Sequence, residues 1–339
     1  MNIPAKFYLE KLLENFDLSF AESYNLMNEI MQGSINNSHL SGILIALKLK
    51  GESAEEIAGF ASAMRENSQK IICDDENMID VCGTGGDNSG SFNISTAVAF
   101  TVAGAGVKVA KHGNRSISSK SGSADVLEEL GININLSQDH STKALNEIGI
   151  AFLFAPLYHP AMKHAAPVRK ELGIKTVFNM LGPLTNPAGV KKQLIGVFDN
   201  KSARIMSQSA KHLDYKKACF ICCGNRFDEI YLGETTKVFE FNKTEPIKEY
   251  SISNESFKYA KTTEEDIKGS SPKVNANIIQ SVFEGKEKNG AFRTITANAA
   301  LALYCSEYST DLLECTNAAE ESIISGNAMN KLNELRNFC

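Results

Sequence analysis

The sequence predicts an α/β protein in which a small α-helical domain precedes a large domain with a mainly parallel central sheet flanked by helices. The first 70 residues carry four helical patterns, and two of these open with a capping box, Ser19 with Glu22 and Ser53 with Glu56. Beyond this region, short apolar runs alternate with helical patterns, which is typical of a parallel sheet covered by helices.

The elements can be placed in chain order. In the first domain we predict helices at 5–15, 19–33, 38–51 and from residue 53 onward. In the second we predict strands at 78–82, 107–110, 150–154, 193–198, 217–223 and 238–241. We predict further helices at 94–105, 123–130, 139–148, 201–213, 290–305 and 310–325. The polar stretch 245–273 is expected to be rich in loops. The domains are therefore 1–70, with a returning segment near 166–186, and 71–339.

Composition and charge argue against several classes of function. A chain of 339 residues can form two domains, and its net charge of −5 argues against broad electrostatic binding to nucleic acid or an anionic membrane. The N-terminus lacks the apolar core of a signal peptide, and the longest apolar run is too short to span a bilayer. We therefore expect a cytoplasmic protein with neither a nucleic-acid nor a membrane partner.

The eight cysteines do not suggest a disulfide scaffold in a chain of this length. Cys219 and Cys222 form a CxxC pair within an apolar run that we predict to be a strand. Alternate side chains of a strand point to opposite faces, and the chain has no second CxxC to complete a tetrahedral metal site. We therefore expect buried free thiols.

A glycine-rich stretch at 80–96 follows the first predicted strand of the sheet. It contains Gly83, Gly85, Gly86 and Gly90, but it matches neither GxGxxG nor GxxxxGK[ST]. Glycine lets another group approach the backbone, and free N–H groups beside a helix N-terminus attract phosphate. The stretch therefore predicts an anion-binding loop, with a turn between two packed elements as the alternative.

A second polar loop, at 111–125, follows the next strand. It contains three cations, an imidazole, five hydroxyls and two glycines, and Ser123 is positioned as the N-cap of the next helix. Lysine and arginine with hydroxyl groups suit several phosphate oxygens. Since both loops follow strands of one parallel sheet, we expect them side by side at its carboxyl edge, where α/β folds bind ligands. The pair favours a ligand with phosphate at both ends.

A third stretch, at 154–173, contains two histidines and an arginine. His159 and His164 are five residues apart, which does not match the spacing of a helical zinc pair. Arg169 has the geometry to hold a carboxylate by two contacts, and an ordinary surface arginine is the alternative. The segment 179–187 that follows is interpreted as a crossing between the helical layer and the sheet.

Two adjacent acids, Asp228 and Glu229, follow the cysteine-containing strand. Carboxylates at a strand end can hold Mg²⁺, which also binds phosphate oxygens, provided that the pair faces the phosphate loops. The sequence contains no Ser–His–Asp arrangement or HExxH motif, and we assign no catalytic residue. Catalysis on a pyrophosphate can depend on positioning and charge stabilisation alone.

Long ordered motifs of this chain resemble those of the anthranilate phosphoribosyltransferases of tryptophan biosynthesis. The first is Gly83-Thr84-Gly85-Gly86-Asp87 with Phe92-Asn93-Ile94-Ser95-Thr96. The second is Lys111-His112-Gly113-Asn114-Arg115 with 121–128, and the third extends from His159 through Arg169 to Pro187. The resemblance covers roughly residues 1–240 well, and the C-terminal remainder matches only in its general pattern, without specific motifs.

The resemblance implies a homodimer that transfers a phosphoribosyl group from 5-phosphoribosyl 1-diphosphate (PRPP) to the amino nitrogen of anthranilate, with Mg²⁺ as cofactor. Anthranilate would bind to Gly83, Asn114 and Arg169, the last meeting its carboxylate. Mg²⁺ would bind to Ser95, Asp228 and Glu229. PRPP would contact Gly83, Gly86, Asp87, Ser91, Asn93, Ile94, Ser95, Thr96, Lys111, His112, Gly113, Asn114, Arg115, Ser116, Ile117, Ser118, Ser119 and Ser123.

The sequence departs from the family pattern at a few positions, and two other functions are possible on the same architecture. Asn88 and Ser91 stand where glycine and threonine are expected, and 222–227 lacks the expected histidine and late glycine. A pyrimidine nucleoside phosphorylase would share the architecture, but residues 111–115 fit the anthranilate enzymes better. A nucleic-acid-binding protein on the same fold is disfavoured by the net charge and by the presence of Arg169 and the acidic pair.

Overall fold

The computed structural model describes residues 4–73, 75–87, 89–116, 120–285 and 288–338. Four helices open the chain: α1 (Ala5–Leu13), α2 (Phe20–Met31), α3 (Asn37–Lys50) and α4 (Ala54–Glu66). Both predicted capping boxes are present, because the Ser19 and Ser53 side chains accept from the backbone N–H groups of Glu22 and Glu56. The predicted four-helix start is therefore confirmed.

A seven-stranded sheet forms the centre of the following region. Its strands are β1 (Ile79–Gly83), β2 (Val109–Gly113), β3 (Ile150–Phe154), β4 (Lys192–Gly196), β5 (Lys217–Cys223), β6 (Thr236–Asn242) and β7 (Glu245–Ile252). The spatial order is β3-β2-β1-β4-β5-β6-β7, with β1 to β5 parallel and the last two strands antiparallel. The mainly parallel sheet expected from the alternating pattern is confirmed.

Helices cover both faces of this sheet. They are α5 (Ile94–Gly104), α6 (Ser123–Glu129), α7 (Gln138–Glu147), α8 (Ala155–Tyr158), α9 (Ala166–Leu172), α10 (Phe178–Leu181), α11 (Asn200–Ser209), α12 (Glu264–Ile267), α13 (Pro272–Phe283), α14 (Gly290–Cys305), α15 (Leu312–Ile324) and α16 (Asn327–Arg336). Short 3₁₀ helices lie at Pro160–His164, Pro183–Thr185, Ala210–His212 and Asn254–Phe257. None of the helices in the described ranges is both long and apolar enough to cross a membrane.

The stretch 245–273 is more regular than its composition predicts. It contains β7 and α12, where we expected mainly loops. The β7 strand is the edge of an antiparallel pair, and most of its side chains are at least partly exposed. A solvated edge strand carries charged residues and has no apolar run, so the sequence pattern gives no strand signal there.

Two hydrophobic cores lie on opposite faces of the sheet. One joins β1 to β3 with α5, α14, α15 and α16. The other joins the four N-terminal helices to α11 and to the opposite face of the sheet, through side chains such as Ile195 and Phe220. Val168, Phe178 and Leu184 of the returning segment near 166–186 are buried in this second core. The cysteines of β5 alternate between the cores and are free, which confirms the prediction of buried thiols.

The strand order reverses direction between β1 and β4. From β1 the chain proceeds through β2 to β3 on one side, and then returns to place β4 and β5 on the other. A reversal of this kind opens a crevice at the carboxyl ends of the two central strands, and ligands of open α/β sheets bind in such crevices. The glycine loop leaves β1 at this point.

Candidate active site

The glycine loop is covered by an acid that comes from beyond β5. The Asp228 carboxylate accepts a hydrogen bond of 2.8 Å from the Gly85 N–H. A Cβ atom at Gly83 would lie 2.5 Å from the same carboxylate, and a Cβ at Gly196 would overlap the Asp228 carbonyl oxygen. Glycine is therefore required at the ends of both central strands for Asp228 to reach the loop. The sequence analysis did not identify Gly196, which precedes its acid by 32 positions.

The neighbouring acid, Glu229, binds the other end of the loop. Its carboxylate accepts from the Ser91 hydroxyl at 3.1 Å and from the Ser95 N–H at 3.2 Å. Ser95 lies in the first turn of α5, where unpaired N–H groups favour a negative charge. The acidic pair therefore faces the glycine loop, as the sequence-based hypothesis of a metal site requires.

The acids are crowded. Burial, followed by the nearby Asp87 carboxylate, raises the pKa of Asp228 to about 7. Burial, followed by Asp228, raises the pKa of Glu229 well above its usual range. One carboxylate oxygen of Asp87 is buried with no partner among the described residues. Like charges gathered in this way are stabilised when a cation is present.

The donor set fits Mg²⁺, which prefers carboxylate and other oxygen ligands and keeps part of its coordination shell for water and phosphate. Asp228 and Glu229 supply carboxylates, and the Ser95 backbone N–H donates to Glu229 while its hydroxyl accepts from the Lys111 ammonium. Within the described ranges, no group of three or more His, Cys, Asp or Glu side chains is arranged to hold one metal ion. A magnesium ion here would therefore need additional oxygen ligands from water or from a bound phosphate.

The second polar loop, at 111–125, begins with a buried cation at the end of β2. The Lys111 ammonium donates to the Val81 carbonyl at 2.7 Å and to the Ser95 hydroxyl at 3.3 Å, and burial lowers its pKa. Lys111 thus lies beneath the glycine loop and links it to the second polar loop. The two loops are side by side, as expected from their positions after neighbouring strands.

The rest of this loop is bound to α6. The Arg115 guanidinium is paired with Asp125 at 3.0 Å and with Glu128 at 2.7 Å, so its charge is compensated in this structure. Gly122, not Ser123, is the N-cap of α6, because the Asp125 carboxylate accepts from the Gly122 N–H. The Ser123 hydroxyl donates instead to the Asn114 carbonyl oxygen at 3.3 Å. The predicted cap at Ser123 is therefore wrong by one position.

Several predicted contact residues are buried or lie outside the described ranges. The Ile94 and Thr96 side chains are buried, and their backbone N–H groups already donate to Phe92 and Asn93. Gly86 has a φ of +70°, in the left-handed region that glycine tolerates best. The residues outside the described ranges are Asn88, Ile117, Ser118 and Ser119.

A segment from the C-terminal third supports the glycine loop, and the sequence analysis missed it. The Asn275 amide donates to the Asn93 side-chain oxygen at 2.8 Å, and the Ser121 hydroxyl donates to the same oxygen at 3.0 Å. The Gly269 N–H donates to the Gly90 carbonyl at 2.7 Å. The one local signal was the Ser271-Pro272 start of α13, which predicts a helix but not its contacts.

Asn298 of α14 holds the chain directly after the acidic pair. Its side-chain oxygen accepts from the Ile230 N–H, and its amide donates to the Ile230 carbonyl, both at 2.9 Å. This two-point contact fixes the backbone beside Glu229. Sequence reasoning could not find it, because 68 positions separate the two residues.

The residues before the acidic pair form a tight turn despite their departure from the family pattern. Cys223 and Phe227 exchange backbone hydrogen bonds of 3.0 and 2.9 Å. Gly224 and Asn225 both have positive φ, which asparagine tolerates better than most residues. Asn225 thus occupies a turn conformation that would otherwise favour glycine.

The third stretch places Arg169 and the His159 imidazole next to the sheet, where His159 meets His112 of β2. Arg169 of α9 is half-buried over the Phe178 ring at 4.9 Å, and burial lowers its pKa. In the part of the chain that the structure describes, its guanidinium has no acidic partner, and no hydrogen bond joins it to the glycine loop. His112 and His159 are both buried, and their ring centroids are 5.2 Å apart. The Nε2 atom of each ring has no hydrogen-bond partner among the described residues.

Fold and site together define a class of protein. A model of the helical bundle domain of a glycosyl transferase family matches residues 6–68, and a model of the α/β domain of that family matches residues 75–329. The two matches meet where the four helices give way to the sheet. The class is therefore a glycosyl transferase with a helical bundle and an α/β domain.

Full-length relatives specify the family within this class. The chain is 46% identical to an anthranilate phosphoribosyltransferase of Petrotoga mobilis, covering 98% of this chain and 96% of that protein. The crystal structure of the Thermus thermophilus enzyme of that name has a TM-score of 0.91, 36% identity and 98% coverage of both chains. A Saccharomyces cerevisiae enzyme of that name, in complex with PRPP and Mg, has a TM-score of 0.89, 28% identity and coverage of 98% and 96%. The chain belongs to the anthranilate phosphoribosyltransferase family.

The buried histidine pair predicts a pH-dependent stability. Burial, with His159 as a second cause, lowers the pKa of His112 to about 3, and burial lowers the pKa of His159 to about 4. Both lie below the ordinary value of 6.5. Since the unfolded chain therefore binds more protons in this range, the stabilising contribution is complete above about pH 6.5 and is lost as the pH falls toward 4.

We expect His159→Asn to reduce this acid sensitivity. Between pH 6.5 and 4.5 the variant should lose about 2 kcal/mol less unfolding free energy than the unmodified protein, because its unfolded chain no longer binds a proton at position 159. Urea denaturation at the two pH values measures the difference. His140→Asn, which changes an exposed histidine of α7, is the control. Equal losses in the two variants would contradict the prediction.

Proposed function

We propose that this enzyme transfers the phosphoribosyl group of PRPP to the amino group of anthranilate and releases pyrophosphate, as a step of tryptophan biosynthesis. The observation that carries this function is the acidic pair facing the glycine loop at the sheet reversal, through Ser91 and Ser95. The full-length similarity to anthranilate phosphoribosyltransferases supports the substrate pair. It also favours this function over nucleoside phosphorolysis and nucleic-acid binding.

PRPP would bind along the two loops at the carboxyl edge of the sheet. The loop after β1 offers backbone groups near the start of α5, and the second polar loop at 111–125 adds Lys111 at the end of β2, Arg115 and hydroxyl groups. The yeast relative is in complex with PRPP and Mg, which supports these two ligands for the present chain. Mg²⁺ held by Asp228, Glu229 and Ser95 would supply positive charge against the developing pyrophosphate.

Anthranilate would bind at the side of the crevice that faces the helical layer. Its carboxylate would pair with the Arg169 guanidinium, which has no acidic partner in the described chain. Asn114 and Gly83 would complete the pocket, as the family resemblance implies. The nitrogen of the substrate then has to approach the sugar carbon that carries the pyrophosphate.

The reaction needs no covalent intermediate with the protein. The anthranilate nitrogen forms a bond to the anomeric carbon, the bond from that carbon to the pyrophosphate oxygen breaks with both electrons, and the nitrogen loses one proton. The protein binds and orients the two substrates and stabilises the charge on the leaving group. Detection of a covalent sugar–protein adduct would contradict this scheme.

We also propose a homodimer that forms through the helical domain. Large apolar side chains of α1, α3 and the turn after α1 are exposed: Phe7, Leu13, Phe16, Ile45 and Leu49. The two helices are neighbours, since a Cβ at Gly42 of α3 would lie 3.4 Å from the Leu9 methyl carbons of α1. An apolar patch of this kind suits a self-complementary contact.

A cytoplasmic location is proposed as well, because free buried thiols suit a reducing compartment.

The function is tested by mixing the protein with anthranilate, PRPP and Mg²⁺ and following the loss of anthranilate fluorescence. We expect a steady loss that requires all three components. A reaction without PRPP is the control for bleaching. A flat trace from folded protein would overturn the proposed function, and phosphorolysis of thymidine in place of transfer would favour the phosphorylase alternative.

Arg169→Ala is expected to raise the KM for anthranilate by roughly one to two orders of magnitude, because the carboxylate loses a charge-assisted partner. The KM for PRPP should change little. Steady-state kinetics with each substrate varied in turn separates the two effects. Lys170→Ala, an exposed neighbour on α9, is the matched control. An unchanged anthranilate KM in Arg169→Ala would remove Arg169 from the pocket.

The dimer is tested by Leu49→Glu, which places a charge in the middle of the apolar patch. Leu49 is 82% exposed, so the folded monomer tolerates the change, whereas a dimer would have to bury the new carboxylate. Sedimentation velocity should show a dimer for the unmodified protein and a monomer for the variant. Ile324→Glu, at an exposed position of α15, should remain dimeric. A monomeric unmodified protein would exclude the proposal.

A further inference from the structure

The sheet is split between β1 and β2. The β1 strand pairs with β4 along five residues, and β2 pairs with β3 along five residues. Between β1 and β2, however, the register contains the single pair Ile79↔Val109. The two strands therefore separate toward their carboxyl ends, where the two phosphate-suited loops begin.

Side chains occupy the split and bind the backbone groups that a continuous ladder would have paired. The Asn186 amide donates to the Ala110 carbonyl at 2.8 Å, and the Lys111 ammonium donates to the Val81 carbonyl at 2.7 Å. The Asp80 carboxylate accepts from the His112 N–H at 3.2 Å. These three backbone groups thus have side-chain partners in place of partners on the neighbouring strand.

Gln193 of β4 holds Asp80 from the other side. Its amide donates to Asp80 at 2.9 Å and to the Pro183 carbonyl at 2.7 Å, and its oxygen accepts from the Tyr215 hydroxyl at 2.6 Å. The Asp80, Gln193 and Tyr215 side chains are all fully buried. Water therefore does not hydrate the Asp80 carboxylate, and its charge is stabilised by these hydrogen bonds.

The network extends to the helical layer. The Arg65 guanidinium of α4 lies over the Tyr215 ring, 4.8 Å from its centroid, and donates to the Leu184 carbonyl at 2.6 Å. One continuous set of contacts thus connects the last turns of α4, the crossing segment at 183–186, and the carboxyl end of β2. Arg65, Asp80, Gln193 and Tyr215 were not identified by sequence analysis.

We propose that Asp80, oriented by Gln193 and Tyr215, is a positioning residue that keeps the Lys111–Gly113 end of β2 separated from β1 in the geometry that PRPP requires. The proposal depends on the proposed function, because it assumes that the loop after β2 binds PRPP. Removing a carboxylate from water costs free energy, and apolar side chains of similar volume often stabilise a fold as well or better. Stability alone therefore does not explain a carboxylate at this position. Its placement at the split indicates a role in orienting the loop.

The experiment uses Asp80→Asn, Gln193→Glu and the double variant. In Asp80→Asn, the single amide oxygen cannot accept from both the His112 N–H and the Gln193 amide, so two donors face each other. In Gln193→Glu, the new carboxylate at position 193 faces the Asp80 carboxylate, and the two acceptors have no donor between them. The double variant restores a donor opposite an acceptor between positions 80 and 193, because the new amide can donate to the new carboxylate, but the donation to the Pro183 carbonyl stays lost.

We expect each single variant to raise the KM for PRPP by roughly tenfold or more, with a smaller change in the KM for anthranilate. The double variant should have a lower KM for PRPP than either single variant, without reaching that of the unmodified protein, because the donation to the Pro183 carbonyl stays lost. Thermal melting is recorded for every variant. Glu56→Gln is the matched control, since Glu56 is an equally buried carboxylate that accepts from two backbone N–H groups in the helical domain. Its melting temperature should fall while the KM for PRPP stays unchanged.

Single variants that melt earlier but keep the PRPP KM of the unmodified protein would overturn the proposal, as would a double variant that shows no recovery. An equal rise in PRPP KM for Glu56→Gln would also overturn it, because the effect would then follow from stability alone. If the single variants do not fold, Tyr215→Phe decides, because it removes one hydroxyl and should raise the PRPP KM several-fold. Turnover of the unmodified protein is measured first, so that a failure of the proposed function is recognised separately.

Discussion

The hydrogen bond from the Gly85 N–H to the Asp228 carboxylate is the contact on which the whole candidate site depends. It brings the chain after β5 across the ends of β1 and β4, and it is possible only because both strands end in glycine. The same approach places Glu229 against Ser91 and Ser95 at the start of α5. A buried acid is tolerated there because backbone N–H groups and a helix N-terminus compensate part of its charge.

The cations Lys111, Arg115 and Arg169 differ in the partners that compensate their charge. Lys111 is buried beneath the glycine loop and is shared between the loop and α5, whereas Arg115 is paired with acids of α6. Arg169 lies on the other side, in the layer that shares a core with the helical domain. The acidic centre with Lys111 thus suits phosphate and a cation, whereas Arg169 carries a charge that no acid of the described chain compensates.

Local signals explain what could be predicted. Ser19 and Ser53 mark helix starts because a capping box is formed within four residues, and Gly83 to Gly90 mark a loop because the glycines are adjacent in sequence. Asn275 and Asn298 gave no such signal, since an asparagine that binds a partner 68 or 182 positions away looks like any other asparagine in a helix. Asp80 and Gln193 were hidden for the same reason, within strands whose apolar neighbours set the pattern.

The sequence by itself determined most of the local elements up to β6, the alternation that implies a parallel sheet, and the two loops and acidic pair suited to phosphate and Mg²⁺. These follow from hydrogen bonds and side-chain periodicities that are complete within a few residues. Only the tertiary structure decided that β1 and β4 flank the reversal, that β7 forms the exposed edge, and that β1 and β2 separate around Asp80. Such features depend on burial and on hydrogen bonds between distant parts of the chain, and these partners are chosen only when the two cores pack on the sheet.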